Sequence, residues 1–301
     1  MEKIGVKKRH IVASGQTASD LAQGAAEKLF SEHRINRHDI DFLLVSILEH
    51  DYYTPSTACV LHGKLDLKKQ CGALDYDLGC SAYVYGLGLA DGVMKSMGAK
   101  NVLLLTASVL THTFHPKDRS SHFVFGDAGS ATLLTFSEEE NLGPFVFGTD
   151  GTGYDKIIVR DGGARNPLTE NSKKEIVDEY GNVTSAATFT MDGLAVFNFS
   201  LRTVPPMIQE LLDKSGLTQN DIDLFVFHQP NVFLNETLRK KMGIPETKFV
   251  HCMENFGNTV QATIPIALYE SKLNGRLKPG MTVLLAGFGV GLSWAATIAR
   301  F

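Results

Sequence analysis

Apolar residues recur along the chain in two periods. Across residues 18–31 they fall at Leu21, Ala25, Ala26 and Leu29, the spacing of one helix face, and predict an amphipathic helix. Residues 40–46 form a strand-length apolar run with Asp39 and Asp41 near its start, and predict a buried strand. Pro55 and Ser56 lead a second helical stretch over residues 57–64, with proline in a first helical turn. Residues 73–76 read as a further strand, which runs into the turn Leu78-Gly79-Cys80-Ser81-Ala82-Tyr83. From Ser81 to Ala90 no residue is charged, and a helix apolar on every side belongs inside the molecule. Gly98 ends that pattern, and residues 101–106 make a strand too apolar for a half-exposed sheet. Strands alternating with helices predict α/β layering.

Residues 281–299 carry no charge and approach the length of a membrane span. Gly287-Phe288-Gly289-Val290-Gly291 divides them into two strand-length runs, 283–286 and 294–298, so buried strands are expected there and no span. A self-similarity links the two halves. Ile40-Asp41-Phe42-Leu43-Leu44-Val45-Ser46 aligns with Ile222-Asp223-Leu224-Phe225-Val226-Phe227-His228, an offset of 182 from position 40 to 222. Val102-Leu103-Leu104 aligns with Val283-Leu284-Leu285 at an offset of 181 from 102 to 283. The same offsets set the Cys80 turn beside the Asn258-Thr259 turn, so a pseudo-twofold pair of α/β halves would bring both turns to one central site. The expected organisation is residues 1–150 for the first half, 151–190 for a polar excursion and 191–301 for the second half. The excursion is either a lid or a solvated loop.

Composition narrows the class. A net charge of −4 supplies no basic footprint for nucleic acid. The four cysteines, Cys59, Cys71, Cys80 and Cys252, form no Cys-x-x-Cys pair and are few for 301 residues, which argues against a disulfide framework or a zinc site and for a reducing cytoplasm. The first ten residues hold five Lys, Arg or His and no apolar core, unlike a signal peptide.

Three polar residues stand at strand ends or turns. Cys80 sits at the mouth of the uncharged helix, whose N-terminal amides would lower its pKa below roughly 8.5; a buried structural cysteine fits the same pattern. His228 ends the run Leu224-Phe225-Val226-Phe227, and strand carboxyl ends are where open α/β sheets bind ligands. Asn258 lies in Asn255-Phe256-Gly257-Asn258-Thr259, a turn in which asparagine also serves for capping or positive φ.

With these residues the chain resembles the β-ketoacyl-acyl carrier protein synthase III family of the thiolase fold. The family's nucleophile motif resembles Asp77-Leu78-Gly79-Cys80-Ser81-Ala82, its His-Gln-Ala-Asn motif resembles His228-Gln229-Pro230-Asn231, and its Gly-Asn-Thr motif matches Gly257-Asn258-Thr259. Arg119 with Phe125-Gly126-Asp127, and the terminal glycines with Trp294, fall in family order. The resemblance implies two pseudo-twofold-related halves in αβαβα layers. It also implies a decarboxylative Claisen condensation: Cys80 takes an acyl group from a thioester, and His228 and Asn258 stabilise the enolate left when a malonyl thioester loses carbon dioxide. The backbone amides of Cys80 and Val290 would form an oxyanion hole.

Substrate contacts are carried over to Arg119, Phe125, Leu194, Asn231, Phe233 and Phe288, and the loop at Tyr53 and Thr54 to the acyl pocket of a partner subunit. The implied partners are coenzyme A or acyl carrier protein thioesters and a second copy of the chain, with no metal, no cofactor, no nucleic acid and no membrane. Leu194 and Phe233 depart from the family, which has asparagine and a carrier- or coenzyme-binding arginine there, and an adenine-stacking tryptophan would lie upstream of Met1. A papain-like protease is disfavoured by the repeat, and a biosynthetic thiolase by the lack of cysteine between Phe288 and Trp294. Two alternatives are a relative forming an ester or amide without decarboxylation, and an inactive partner subunit.

Overall fold

The structure, a computed structural model describing residues 4–301, begins its helices at α1 (Ala18–His33). Thr17 and Asp20 close its N-terminus as a capping box, and Arg34 ends it in the left-handed conformation at φ 53°. β1 (Phe42–Ser46) leads to α2 (Thr57–Lys64), whose first amides, those of Thr57 and Ala58, donate to Asp75 at 2.6 Å each. Asp75 ends β2 (Gly72–Asp75), so a carboxylate at a helix N-terminus ties strand to helix. The uncharged stretch becomes α3 (Ala82–Met97), stopped by Gly98 at φ 75°, and β3 (Asn101–Ser108) and β4 (Ala128–Thr135) follow.

β2, β1, β3 and β4 form one sheet in that order. β5 (Leu142–Thr149) crosses to the second sheet, so the sheets divide the chain between β4 and β5, ahead of residue 150. The polar excursion contains β6 (Ile157–Val159), β7 (Ile176–Val177), β8 (Val183–Thr184) and β9 (Phe189–Met191), with β6 paired to β9 and β7 to β8. Then come α4 (Gly193–Ser215), capped by Asp192, β10 (Leu224–Phe227), α5 (Val232–Lys241), α6 (Thr263–Leu273), β11 (Thr282–Gly289) and β12 (Ser293–Arg300). The second sheet runs β10, β11, β12, β5.

Alternate side chains of the apolar strands face opposite ways, and both faces are covered. Leu43, Val45, Leu103 and Leu105 meet α1 and α2 through Ala22, Phe30 and Leu61. Leu44, Leu104, Val226 and Leu285 meet a middle layer of α3 and α6. Phe225, Phe227 and Leu284 meet α4 and α5 through Ile208, Leu211 and Leu238. The result is the expected αβαβα stack, each fully buried Leu or Phe contributing roughly 1.5–3 kcal/mol. The repeat is visible in the register: Phe42 pairs with Val102 in the first sheet, and their counterparts at the sequence offsets, Leu224 and Val283, pair in the second. Residues 281–299 form β11 and β12, and among the described residues no helix is long and apolar enough to cross a membrane.

Candidate active site

Cys80 lies between β2 and α3, in a turn pressed against the end of β11. A Cβ at Gly289, where φ is +156°, would lie 2.7 Å from the Cys80 Sγ, and one at Gly287 would lie 2.7 Å from its carbonyl oxygen. Only glycine lets the strand approach so closely. Ser81 uses no side-chain oxygen to cap α3; its hydroxyl instead pairs with Ser293 at 2.7 Å, and the Ser293 hydroxyl lies 2.7 Å from the Val290 carbonyl. This chain of hydroxyls fixes the Val290 turn beside the cysteine. Burial pushes the Cys80 thiol up to about 11, while the backbone amides of Val290 and Cys80 pull the other way. The expected lowering is therefore reversed: the amides do address the sulfur, but desolvation outweighs them, and no Lys or Arg among the described residues lines the cavity.

His228 follows β10 and is 2% exposed. Its amide donates to the Ala286 carbonyl at 2.7 Å, Asn235 Nδ2 donates to the His228 carbonyl at 3.1 Å, and Phe288 stands edge-on to the ring. Burial pushes the imidazole down to about 3, so the ring is neutral at ordinary pH. Nδ1 lies 2.8 Å from the Thr263 hydroxyl, which also lies 3.0 Å from the Val260 carbonyl. That single hydroxyl proton can go to Val260 or to Nδ1, and its choice sets whether Nε2 accepts or donates.

Asn258 is 4% exposed and is held by backbone bonds to Val124 and Gly126. Its Oδ1 accepts from the Val260 amide at 2.9 Å, which leaves the Nδ2 donor for the cavity. Val260, between Asn258 and Thr263, holds φ 51°, a conformation costly for a β-branched residue. Strain of this kind persists only where surrounding bonds over-determine it, as the Asn258 and Thr263 side chains do here.

Cys80, His228, Asn258, Phe125, Phe288 and Val290 all line one apolar cavity of about 190 Å³. Sequence profiles described as "3-Oxoacyl-[acyl-carrier-protein (ACP)] synthase III" and its C-terminal counterpart match residues 74–151 and 212–301. A Beta-ketoacyl-[acyl-carrier-protein] synthase III of Nitratidesulfovibrio vulgaris is 34% identical over 300 residues, covering 99% of this chain and 89% of the relative. The chain belongs to the synthase III family. A crystal structure of a 3-oxoacyl-(acyl-carrier-protein) synthase III superposes with a TM-score of 0.97 at 44% identity, over 100% of this chain and 90% of that one. A priming β-ketosynthase from the R1128 polyketide pathway gives 0.85 at 25% identity, over 100% and 86%.

Several residues expected to contact substrate by synthase III resemblance lie outside the cavity. Asn231 caps α5, accepting from the Leu234 amide at 2.8 Å. Leu194 is 71% exposed, and Phe233, 52% exposed, stacks on Phe197 at 5.6 Å; both flank lining residues, Val196 and Leu234. Arg119 sits in a separate shallow depression with Arg9 and Lys117, its guanidinium donating to the Gly181 carbonyl at 3.2 Å. Tyr53, 85% exposed, and Thr54, also exposed, do not line the cavity of their own chain. Sequence reasoning missed Thr263 and Glu49, and also the β6–β9 ribbon, whose Ile157, Ile158 and Phe189 wall the cavity from inside the polar excursion. The apolar triplet Ile157-Ile158-Val159 was the available signal.

Proposed function

We propose that Cys80 accepts an acyl group from a thioester and that the enzyme condenses it with a malonyl thioester, releasing carbon dioxide, in fatty acid or polyketide synthesis. One observation carries this: a cysteine, a neutral histidine and an asparagine amide from separate turns and strand ends converge on one apolar cavity, with two backbone amides directed at the sulfur. The Cys80 thiolate, addressed by the two backbone amides, attacks the thioester carbonyl, and the proton it gave up goes to the departing phosphopantetheine thiolate. Decarboxylation then needs no base. The electron pair of the broken C–C bond enters the enolate, whose oxygen takes hydrogen bonds from Asn258 Nδ2 and from His228 Nε2–H, with the Thr263 proton on Nδ1. The enolate carbon attacks the acyl-cysteine, the tetrahedral oxyanion rests on the amides of Cys80 and Val290, and the expelled cysteine thiolate takes up a proton. Intact mass after acyl thioester, then carbon dioxide release on adding malonyl thioester, tests the sequence. An adduct with product but no carbon dioxide favours ester or amide formation; no adduct at all favours an inactive subunit.

The donor is expected to be a carrier protein rather than coenzyme A. Leu194, Phe197 and Phe233 make an apolar collar beside the lining, and Arg239, the nearest alternative cation on α5, is committed to Glu236 at 2.8 and 2.7 Å and to the Ile244 carbonyl. A missing arginine–phosphate contact weakens coenzyme A by about ten- to a hundredfold, and a carrier's own surface compensates. Phe233→Arg should narrow the difference in Cys80 acylation between matched donors. Equal efficiencies in wild type, unchanged by the arginine, would refute the preference.

A homodimer is expected through the open edge of β2, where Leu74 is 46% exposed. Asp75 ties that edge to the start of α2, directly after the exposed Tyr53–Thr54 loop, so a copy paired there receives the loop near its cavity. Light scattering should give twice the chain mass; a fully active monomer at micromolar concentration would rule this out.

A further inference from the structure

The acyl cavity contains a carboxyl that the condensation does not use. Glu49 follows β1 and lines the cavity with Cys80, Leu110, Thr113 and Phe125. Its Oε1 accepts from the Ser108 hydroxyl at 3.2 Å. Its Oε2 is withdrawn from solvent and has no hydrogen-bond partner among the described residues, although the residue as a whole keeps partial exposure. Thr113 cannot serve it, since that hydroxyl donates to the Leu110 carbonyl at 2.7 Å. Among the described residues no Lys or Arg lines the cavity, and Asp127 acts on Glu49 with a charge of the same sign. Burial raises the carboxyl to about 7, against the amides of Glu49 and Val109 and the Ser108 hydroxyl, which favour its ionised form.

An unpaired buried oxygen in an otherwise apolar wall is costly unless a ligand satisfies it. A plain alkyl chain filling the cavity would bury Oε2 further and give nothing back. An acyl group with a hydroxyl or amino substituent would supply the missing donor. We propose that Glu49 makes this cavity selective for an acyl group bearing a hydrogen-bond donor over the unsubstituted chain of equal length. The selectivity rests on the reading of Cys80 as the acylated residue. It follows from asymmetry: a site built to pair a polar substituent rejects the analogue lacking it far more strongly than an apolar site rejects the substituent.

The test is the rate of Cys80 acylation, read by intact mass, from carrier-bound thioesters in matched pairs: butanoyl against 3-hydroxybutanoyl and 3-aminobutanoyl, and pentanoyl against 5-hydroxypentanoyl. Wild type should load at least one substituted chain about tenfold or more faster than its partner. Glu49→Leu should remove that ratio and speed the unsubstituted chain. Glu49→Gln, which keeps an acceptor without charge, should retain a hydroxyl preference and lose an amino preference, separating the two donors. Ratios near one in wild type, or ratios unchanged in Glu49→Leu and Glu49→Gln, overturn the proposal alone, because Cys80 is still acylated. No Cys80 adduct from any thioester overturns the acylation reading and the proposal with it.

Discussion

Cys80→Ala is expected to abolish the acyl-enzyme completely: an acyl thioester should add one acyl mass to wild type and nothing to the variant. Parking a thioester's acyl group on a thiol changes little in energy and splits one difficult transfer into two easier ones, so no neighbouring group without sulfur replaces it. The other cysteines are poorly placed. Cys59 is exposed, Cys71 is buried in the outer core, and none of the three, Cys252 included, lines the cavity. A stable acyl group on any of them, with Cys80 free, would sink the assignment. The raised Cys80 pKa gives a second reading of the same residue. Because the thiol form dominates below about 11, the thiolate fraction grows with pH throughout the neutral range. Alkylation of the free enzyme by iodoacetamide should climb by about tenfold per pH unit from roughly pH 7 to 9. A plateau below about pH 8 would show that the helix terminus outweighs burial.

What could be read in the sequence was what local pattern dictates. The strands β1, β3, β10 and β11 announce themselves because both of their faces are covered, which leaves no polar alternation. The repeat was legible for the same reason, and residues equivalent at its offsets pair alike in the two sheets, Phe42 with Val102 and Leu224 with Val283. His228 could be singled out because it ends an apolar run, and Cys80 and Asn258 because they stand in turns; strand ends and turns are where the α/β architecture gathers ligands.

Properties that depend on packing across the molecule were not legible. The direction of the Cys80 pKa is decided by how β11 closes over it, through Gly289, and a helix-terminus argument from sequence omits that desolvation. That Asn231 caps α5 through Oδ1 was not legible either, because it depends on where that helix begins. Glu49 follows a strand as any surface carboxylate does, and only the tertiary fold shows its Oε2 in the Cys80 cavity without a hydrogen-bond partner among the described residues. Thr263 is silent in sequence because its significance is a 2.8 Å approach to a residue 35 positions away.

His228→Ala and Asn258→Ala are each expected to lower malonyl decarboxylation by roughly 10²–10³-fold, the usual cost of one oxyanion-type donor, while Cys80 acylation falls far less. The asymmetry comes from where charge develops. Acyl transfer builds its negative charge beside the amides of Cys80 and Val290, which both variants keep; decarboxylation builds it on the malonyl thioester oxygen, which loses a donor in either. His228 acts as a neutral donor, since burial holds the ring uncharged down to about pH 3, so the rate of decarboxylation should show no step at the ordinary histidine pKa. Asn258→Asp provides the sharper control. It keeps the shape and the Oδ1 that the Val260 amide binds, but replaces the Nδ2 donor with a negative acceptor facing a developing negative charge. Decarboxylation should therefore fall at least as far as in Asn258→Ala, with acylation again the lesser loss. Carbon dioxide release near the wild-type rate in these variants, or acylation lost as deeply as decarboxylation, would contradict a donor role for the pair.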